Sequence, residues 1–399
     1  LARVLLLSNG HGEDLSGAIL GEQLKGLGHT VEALPLVGLG AAYKNSGIFV
    51  IDEGKEFSTG GIGYTSMSGR LVEFLEGQAF YLLKRVVKLL RMAHFYELIV
   101  VVGDVVPVLA AWLSRRPVVT YLVAYSSHYE GRLCLPWPCG ACLKSQRFLE
   151  VYSRDQLTSN DLSIQLGRIV KFLGNPFMDM VFINQPALPS CRRRLGILPG
   201  SRRPEVDKNL LLILSLIELL PEMLIGSGEI TLDLALVSAL DDVALHHLAL
   251  SKGWALEGGL SKSSPLRIKR GLLKMNVRRG AFAQILQNSD LLVCMAGTAT
   301  EQTVGLAKPV VQLVGQGPQF TNTFAEAQRR LLGPTVFCVH GSTGDQSTLR
   351  KTASLILDLL ARVRNDQKLI DECAKQASIR LGVSGGAHAM ANAISKLIH

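Results

Sequence analysis

No apolar run in this chain is long enough to cross a bilayer. The longest, Leu98–Leu113, is broken by Asp104 and Pro107, and it reads as a buried strand, a loop and the start of a helix. Charged residues are scarce, 19% against 48% apolar, which excludes a disordered, solvated chain. The seven cysteines form no even-numbered disulfide framework. Cys134, Cys139 and Cys142 are spaced C-x4-C-x2-C, and a zinc site there would need a fourth ligand, for which His128 is the nearest candidate. The reading preferred is a Pro/Cys-rich surface loop of free thiols in a reducing compartment, with no metal. Also lacking are an aromatic-studded basic stripe, zinc-finger spacing and an RNA-binding signature, so nucleic acid is not an expected partner. No cleavable signal peptide is expected within these 399 residues. Residue 1 is Leu rather than Met and Val4–Ser8 is already strand-like, so an upstream targeting piece is expected.

What is present is an uneven positive charge. Residues 1–174 hold 17 Lys/Arg against 15 Asp/Glu, and the remainder holds 25 against 18, for a net +9. The more basic second half suits an anionic nucleotide or an anionic lipid surface.

The 399 residues suffice for two domains. Strand-like runs alternate with helical ones: Val4–Ser8, a helix from about Asp14 to Gly26, Val31–Leu36, Leu98–Val102, Val118–Val123, Leu149–Val151 and Val170–Phe172. The pattern weakens through Gln185–Pro189, a candidate linker, and resumes at Leu195–Leu198, Leu232–Leu236, Leu272–Met275, Leu291–Met295, Val310–Leu313 and Thr335–Val339. Apolar character on both faces of these strands predicts α/β domains built on parallel sheets. The boundaries expected are 1–174 for the first domain, 175–384 for the second and 385–399 for a C-terminal helix. Two such domains place ligands at the carboxyl ends of their strands.

Two strands of the second half end in small-residue turns, Pro199-Gly200-Ser201-Arg202 and Ala296-Gly297-Thr298-Ala299-Thr300-Glu301. Helix-opening turns of this kind present backbone N–H groups and the positive end of a dipole to an anion. Arg202 adds a planar fork of donors suited to a diphosphate. In the first half, Val4–Ser8 runs into Asn9-Gly10-His11-Gly12-Glu13-Asp14, a glycine-containing turn without the G-x-G-x-x-G spacing. His11 and Glu13 are candidates to contact substrate there, and Glu13 or Asp14 is alternatively a helix cap. Asp104 ends the apolar strand Leu98–Val102. A carboxylate there is costly to bury without a partner, so it is expected in the cleft as a general base, or else as the cap of the next helix.

Gly69–Tyr96 reads as an amphipathic helix with Lys84, Arg85, Lys88 and Arg91 on its polar side. It fits either an anionic membrane surface or an ordinary packed helix. The tract Lys262–Arg279 carries seven Lys/Arg and no acid, which fits a solvated loop or a phosphate-facing surface.

The ordered set of the Gly10–Gly17 turn, Gly103-Asp104, Phe172-Leu173-Gly174-Asn175-Pro176, Leu198-Pro199-Gly200-Ser201-Arg202 with Glu205-Val206, and Ser289-Asp290 followed by Gly297-Thr298-Ala299 resembles the lipid-A-disaccharide synthases, glycosyltransferases of GT-B type. The resemblance runs in order through most of the chain, and is that of a divergent relative of the kind found in oxygenic phototrophs. It implies two Rossmann-like domains facing a central cleft, with a C-terminal helix that crosses back to the first. The implied activity is inverting transfer of a GlcNAc-type sugar from a UDP-sugar to a lipid or lipid-linked acceptor, without metal or other cofactor. The implied location is cytoplasmic and peripheral to the membrane, or plastid if a transit peptide has been removed. By resemblance Gly200, Ser201, Arg202 and Gly297–Thr300 hold the diphosphate, and Asp104 matches the family's proposed base. The family's ribose-binding Glu falls on Gln302, with Glu301 one position earlier. The first turn is one residue shorter than the family's, and Val105–Val108 lacks its second carboxylate. Gln316 and Gln319 lie in a segment that looks like the donor-sugar loop of other GT-B enzymes. A UDP-GlcNAc 2-epimerase-like enzyme and a catalytically silent nucleotide- or lipid-binding scaffold are the alternatives on the same fold.

Overall fold

A computed structural model describes residues 1–52, 54, 78–258, 265–315 and 321–398. The chain divides into two units, Leu1–Asp179 with Gly382–His399, and Met180–Leu381. The division falls a few residues after position 174.

The first unit is a six-stranded parallel sheet of β1 (Arg3–Ser8), β2 (Thr30–Pro35), β3 (Phe49–Val50), β4 (Leu98–Val102), β5 (Val118–Leu122) and β6 (Phe148–Ser153), ordered β3-β2-β1-β4-β5-β6. Successive residues of a strand face opposite sides, and both sides are dry. Leu5, Leu7, Ile99 and Val101 enter one core, and Val4, Leu6, Val100 and Val102 the other. The second core is closed by the C-terminal helix Gly386–Ile398, through Met390, Ala391 and Ile394. Asp179 accepts from the amides of Gly385 (2.6 Å) and Ala387 (2.9 Å) at the start of that helix, and the Ser395 hydroxyl lies 2.9 Å from Nε2 of His29. The expected strand at Val170–Phe172 is reduced to a single bridge between Tyr152 and Lys171.

The second unit is an eight-stranded sheet of β7 (Arg193–Leu198), β8 (Ile230–Leu236), β9 (Ala255–Glu257), β10 (Arg267–Arg270), β11 (Leu273–Arg279), β12 (Leu291–Cys294), β13 (Val310–Gln312) and β14 (Val336–Cys338). The order is β14-β13-β12-β7-β8-β11-β10-β9, parallel from β14 to β11 and antiparallel at the β10 and β9 edge. Its parallel strands therefore repeat the doubly wound order of the first unit.

From Arg267 to Arg279 the basic tract is neither a loop nor a bare phosphate-facing surface, and its first residues lie outside the described ones. Much of it forms the β10/β11 hairpin, because Leu273, Met275 and Val277 alternate into the core. Four of its cations are matched by acids: Lys269 with Glu257, Arg270 with Glu218, Arg278 with Asp233 and Arg279 with Asp242.

The helix within Gly69–Tyr96 is described from Gln78 to Met92, and the part before Gln78 lies outside the described residues. One of its four basic residues, Arg85, does not serve a solvated polar face, and Lys88, half-exposed, is engaged by the Asp52 carboxylate. Arg85 is 3% exposed, donates to the Pro35 carbonyl (2.5 Å) and pairs with Asp52 at 2.7 Å, while Lys88 reaches the same carboxylate at 3.0 Å. Phe80, Leu83, Val87 and Leu90 lie on the exposed side. Among the described residues no helix is long and apolar enough to cross a membrane.

Candidate functional site

In both units the motifs fall where the strand order reverses, the point at which open α/β sheets bind ligands. In the second unit that point lies between β7 and β12, whose last residues Leu198 and Cys294 are paired. The Met295 amide then donates to the Leu198 carbonyl at 2.8 Å, so the two small-residue turns start side by side. Gly200 has φ +107°, and a Cβ there would stand 3.1 Å from the Met295 carbonyl oxygen, so glycine is required by conformation and by space. Asn209, 1% exposed, donates to the Pro199 carbonyl at 2.8 Å and fixes the turn from behind.

Ser201 and Arg202 are exposed. They precede the next helix, which starts at Glu205 and receives its first bond from the Val206 amide to the Arg202 carbonyl at 2.8 Å. Arg202 is thus on a connecting loop rather than in the helix's first turn. The second turn opens the helix Gly297–Gly305 directly, and no side chain caps it. The first amides of such a helix have no intrahelical partner and point outward. Thr298 is exposed, and Ala299 is 7% exposed. Thr300 is committed internally, its amide and its hydroxyl both donating to the Ala296 carbonyl (3.1 and 2.7 Å). Gln302 is buried and Glu301 half-buried, so of the two the carboxylate is the more accessible. Gln316 and Gln319 lie outside the described residues.

In the first unit the reversal lies between β1 and β4, and it gathers Asn9, Glu13, Asp14 and Asp104. Asp104 is 5% exposed and caps the helix Val105–Leu113 by accepting from the Val106 amide at 2.9 Å. The capping role and the strand-end position coexist. Asn9 donates to both carboxylate oxygens of Asp104, at 3.3 and 3.2 Å. Burial raises the Asp104 pKa above the ordinary carboxylate range, against the hydrogen bonds from Val106 and Asn9 that lower it.

Glu13 is pushed up to about 7, first by burial and further by the nearby Asp104 charge. Asp14 is also raised to about 7, by burial and by Glu13, although it accepts from the Ser8 hydroxyl at 2.6 Å. Both acids stand in the first turn of the helix His11–Gly26, the place where a carboxylate complements the helix dipole, while the cap position itself is Gly10 and no side chain bonds there. Tyr43 donates to Ser8 at 2.8 Å, completing a buried chain Tyr43–Ser8–Asp14. A Cβ on Gly17 would come within 2.2 Å of the Tyr43 hydroxyl, so this chain depends on that glycine. The backbone of His11 opens the helix His11–Gly26, and its side chain lies outside the described residues.

Asn9, Ser8 and Tyr43 were not singled out from the sequence. Ser8 and Asn9 had a signal in their place at a strand end, whereas Tyr43 had none. The expected surface loop holds only for Cys134, which is exposed: Cys139 and Cys142 are buried on the short helix Cys139–Leu143, and burial raises the Cys139 thiol to about 12. Among the described residues no His/Cys/Asp/Glu group has metal-binding geometry.

No protein-family model matches the chain, and no curated protein sequence matches it. Solved structures do. The calicheamicin glycosyltransferase CalG4 is 17% identical, with a TM-score of 0.59 over 99% of this chain and 98% of that one. The spinosyn rhamnosyltransferase SpnG complexed with thymidine diphosphate is 14% identical, with a TM-score of 0.54 over 98% and 100%. The UDP-GlcNAc 2-epimerase from Neisseria meningitidis bound to UDP-GlcNAc is also 14% identical, with a TM-score of 0.51 over 100% of both chains. At these identities the likeness establishes the fold: α/β with two parallel-sheet domains, shared by GT-B glycosyltransferases and UDP-GlcNAc 2-epimerases.

Proposed function

We propose that the protein is an inverting glycosyltransferase that moves a GlcNAc-type sugar from a UDP-sugar to a membrane lipid or lipid-linked acceptor, as a lipid-A-disaccharide-synthase-like enzyme. The observation that carries this reading is the pairing of two glycine turns at the reversal point of the second sheet, beside an exposed arginine. Amides at Gly297–Ala299 and the Arg202 guanidinium would receive the charge that grows on the diphosphate as the bond to the sugar carbon breaks. Asp104 would take the proton of the attacking hydroxyl as its oxygen joins that carbon. A carboxylate with a raised pKa is a stronger base than an ordinary one, which suits Asp104 to the task. The scheme calls on no metal.

Membrane contact would come from the exposed stripe Phe80, Leu83, Val87 and Leu90, flanked by Lys84 and Arg91. A second reading, epimerisation of the nucleotide sugar alone, is favoured by Glu13, whose pKa near 7 beside Asp104 suits a group that gives and takes protons in turn.

A thermal-shift screen over nucleotide sugars, followed by turnover with and without lipid vesicles as acceptor, separates the readings. Sugar transfer that requires the vesicles supports the transferase. Isomerisation of the donor without acceptor supports the epimerase. A donor that binds and is never consumed leaves the binding scaffold.

A further inference from the structure

The second unit carries another concave site whose walls include neither Arg202 nor any residue of Ala296–Thr300. A cavity of about 340 Å³ opens between the helix Glu205–Ile217, the helix Gln346–Arg362 and the turn that holds Lys252. This volume falls at the lower end of the roughly 300–1,000 Å³ typical of small-molecule pockets. Leu211, Leu212 and Leu349 form its apolar wall, while Lys208, Lys252, Ser215 and Thr343 form the polar one.

No carboxylate lines this cavity. Two ammonium groups at a concave surface focus positive potential into it; Asp207, beside Lys208, is paired with Arg203, and Asp345, between the lining residues Gly344 and Gln346, is exposed. Lys252 is also tethered, its Nζ donating to the Ser215 hydroxyl at 3.1 Å, which holds the head group against the wall. Asn209 also lines the cavity. Its Nδ2 is engaged by the Pro199 carbonyl, but its buried Oδ1 has no hydrogen-bond partner.

We propose that this cavity is a second binding site, for a small phosphorylated polyol of the sugar-phosphate class. Lys208 and Lys252 hold the phosphate, and the leucine wall takes the ring. Because Asn209 also anchors Pro199, the residue before Gly200, an occupant is joined through one side chain to the turn at the sheet's reversal point. The site therefore has the placement of a regulatory one.

The test is calorimetric titration of the full chain with glucose 6-phosphate and with inorganic pyrophosphate. The variants are Lys208→Gln/Lys252→Gln and, separately, Arg202→Ala. All three are exposed positions, and a thermal scan of each variant confirms that the fold is kept. The expected result is binding of glucose 6-phosphate to wild type, unchanged by Arg202→Ala and weakened about tenfold or more by the double lysine substitution. Binding of neither probe, binding indifferent to the lysines, or binding lost in Arg202→Ala would each overturn the proposal. Lys208 and Lys252 take no part in the nucleotide reading and Arg202 takes none in this site, so either can fail alone.

Discussion

Asn9 and Asp104 lie far apart in sequence, yet the Asn9 amide donates to both oxygens of the Asp104 carboxylate, at 3.3 and 3.2 Å. The contact joins the ends of β1 and β4 and holds the carboxylate in place, while the Val106 amide takes the remaining direction on one oxygen. A base held on two sides loses little entropy when an acceptor hydroxyl arrives.

Asp104→Asn should therefore abolish most turnover while leaving the fold intact. Asparagine caps helices as well as aspartate, so the helix Val105–Leu113 keeps its N-terminus. Loss of a general base lowers the rate by roughly 10²–10⁴-fold. The check is turnover together with UDP affinity. If turnover is near normal in Asp104→Asn and lost in Glu13→Gln or His11→Ala, the base is on the first turn.

The raised carboxyls predict a pH dependence of stability. Glu13 and Asp14 each move up to about 7 in the folded state, so between about pH 4 and 7 the native protein holds protons that the unfolded chain has released. Their contribution to stability is full at the acid end of this window and is lost as pH rises through it, with a slope of at most about 1.4 kcal/mol per pH unit for each group. Urea unfolding at several pH values should show the wild type losing stability across the window relative to Asp14→Asn. Parallel curves for the two proteins would remove Asp14 from the account.

Membrane docking is predicted to depend on only part of the basic set. Neutralising Lys84 and Arg91 should weaken flotation with anionic liposomes at low salt, by about 1 kcal/mol for each charge. Arg85→Gln should act on stability instead, by about 1–3 kcal/mol, because it removes donors from the Pro35 and Asp52 carbonyls. Equal flotation of wild type and the Lys84/Arg91 variant would make the exposed stripe a feature of the monomer surface alone.

Much of the architecture was legible because buried parallel strands announce themselves as short apolar runs closed by small residues. Leu98–Val102 was placed to the residue, and Asp104 and Gly297 fell at strand ends as expected. The edge of the second sheet was not legible. Charged residues that look solvated in sequence, such as Arg278, are neutralised by partners far along the chain, in this case Asp233. The same reason hid the role of Arg85, whose partner Asp52 lies on a different segment. Hydrogen-bond chains such as Tyr43–Ser8–Asp14 depend on tertiary proximity, which no local pattern records.

The central claim is a diphosphate site at the paired turns, and calorimetry of UDP binding to wild type and Arg202→Ala tests it most directly. Arg202 is exposed beside Gly200, so its loss should leave the fold unchanged and remove one charge-assisted contact. The account predicts that wild type binds UDP and that the variant binds it more weakly by about 1.5–3 kcal/mol. Equal affinity of the two proteins, or no UDP binding by the wild type, would contradict it.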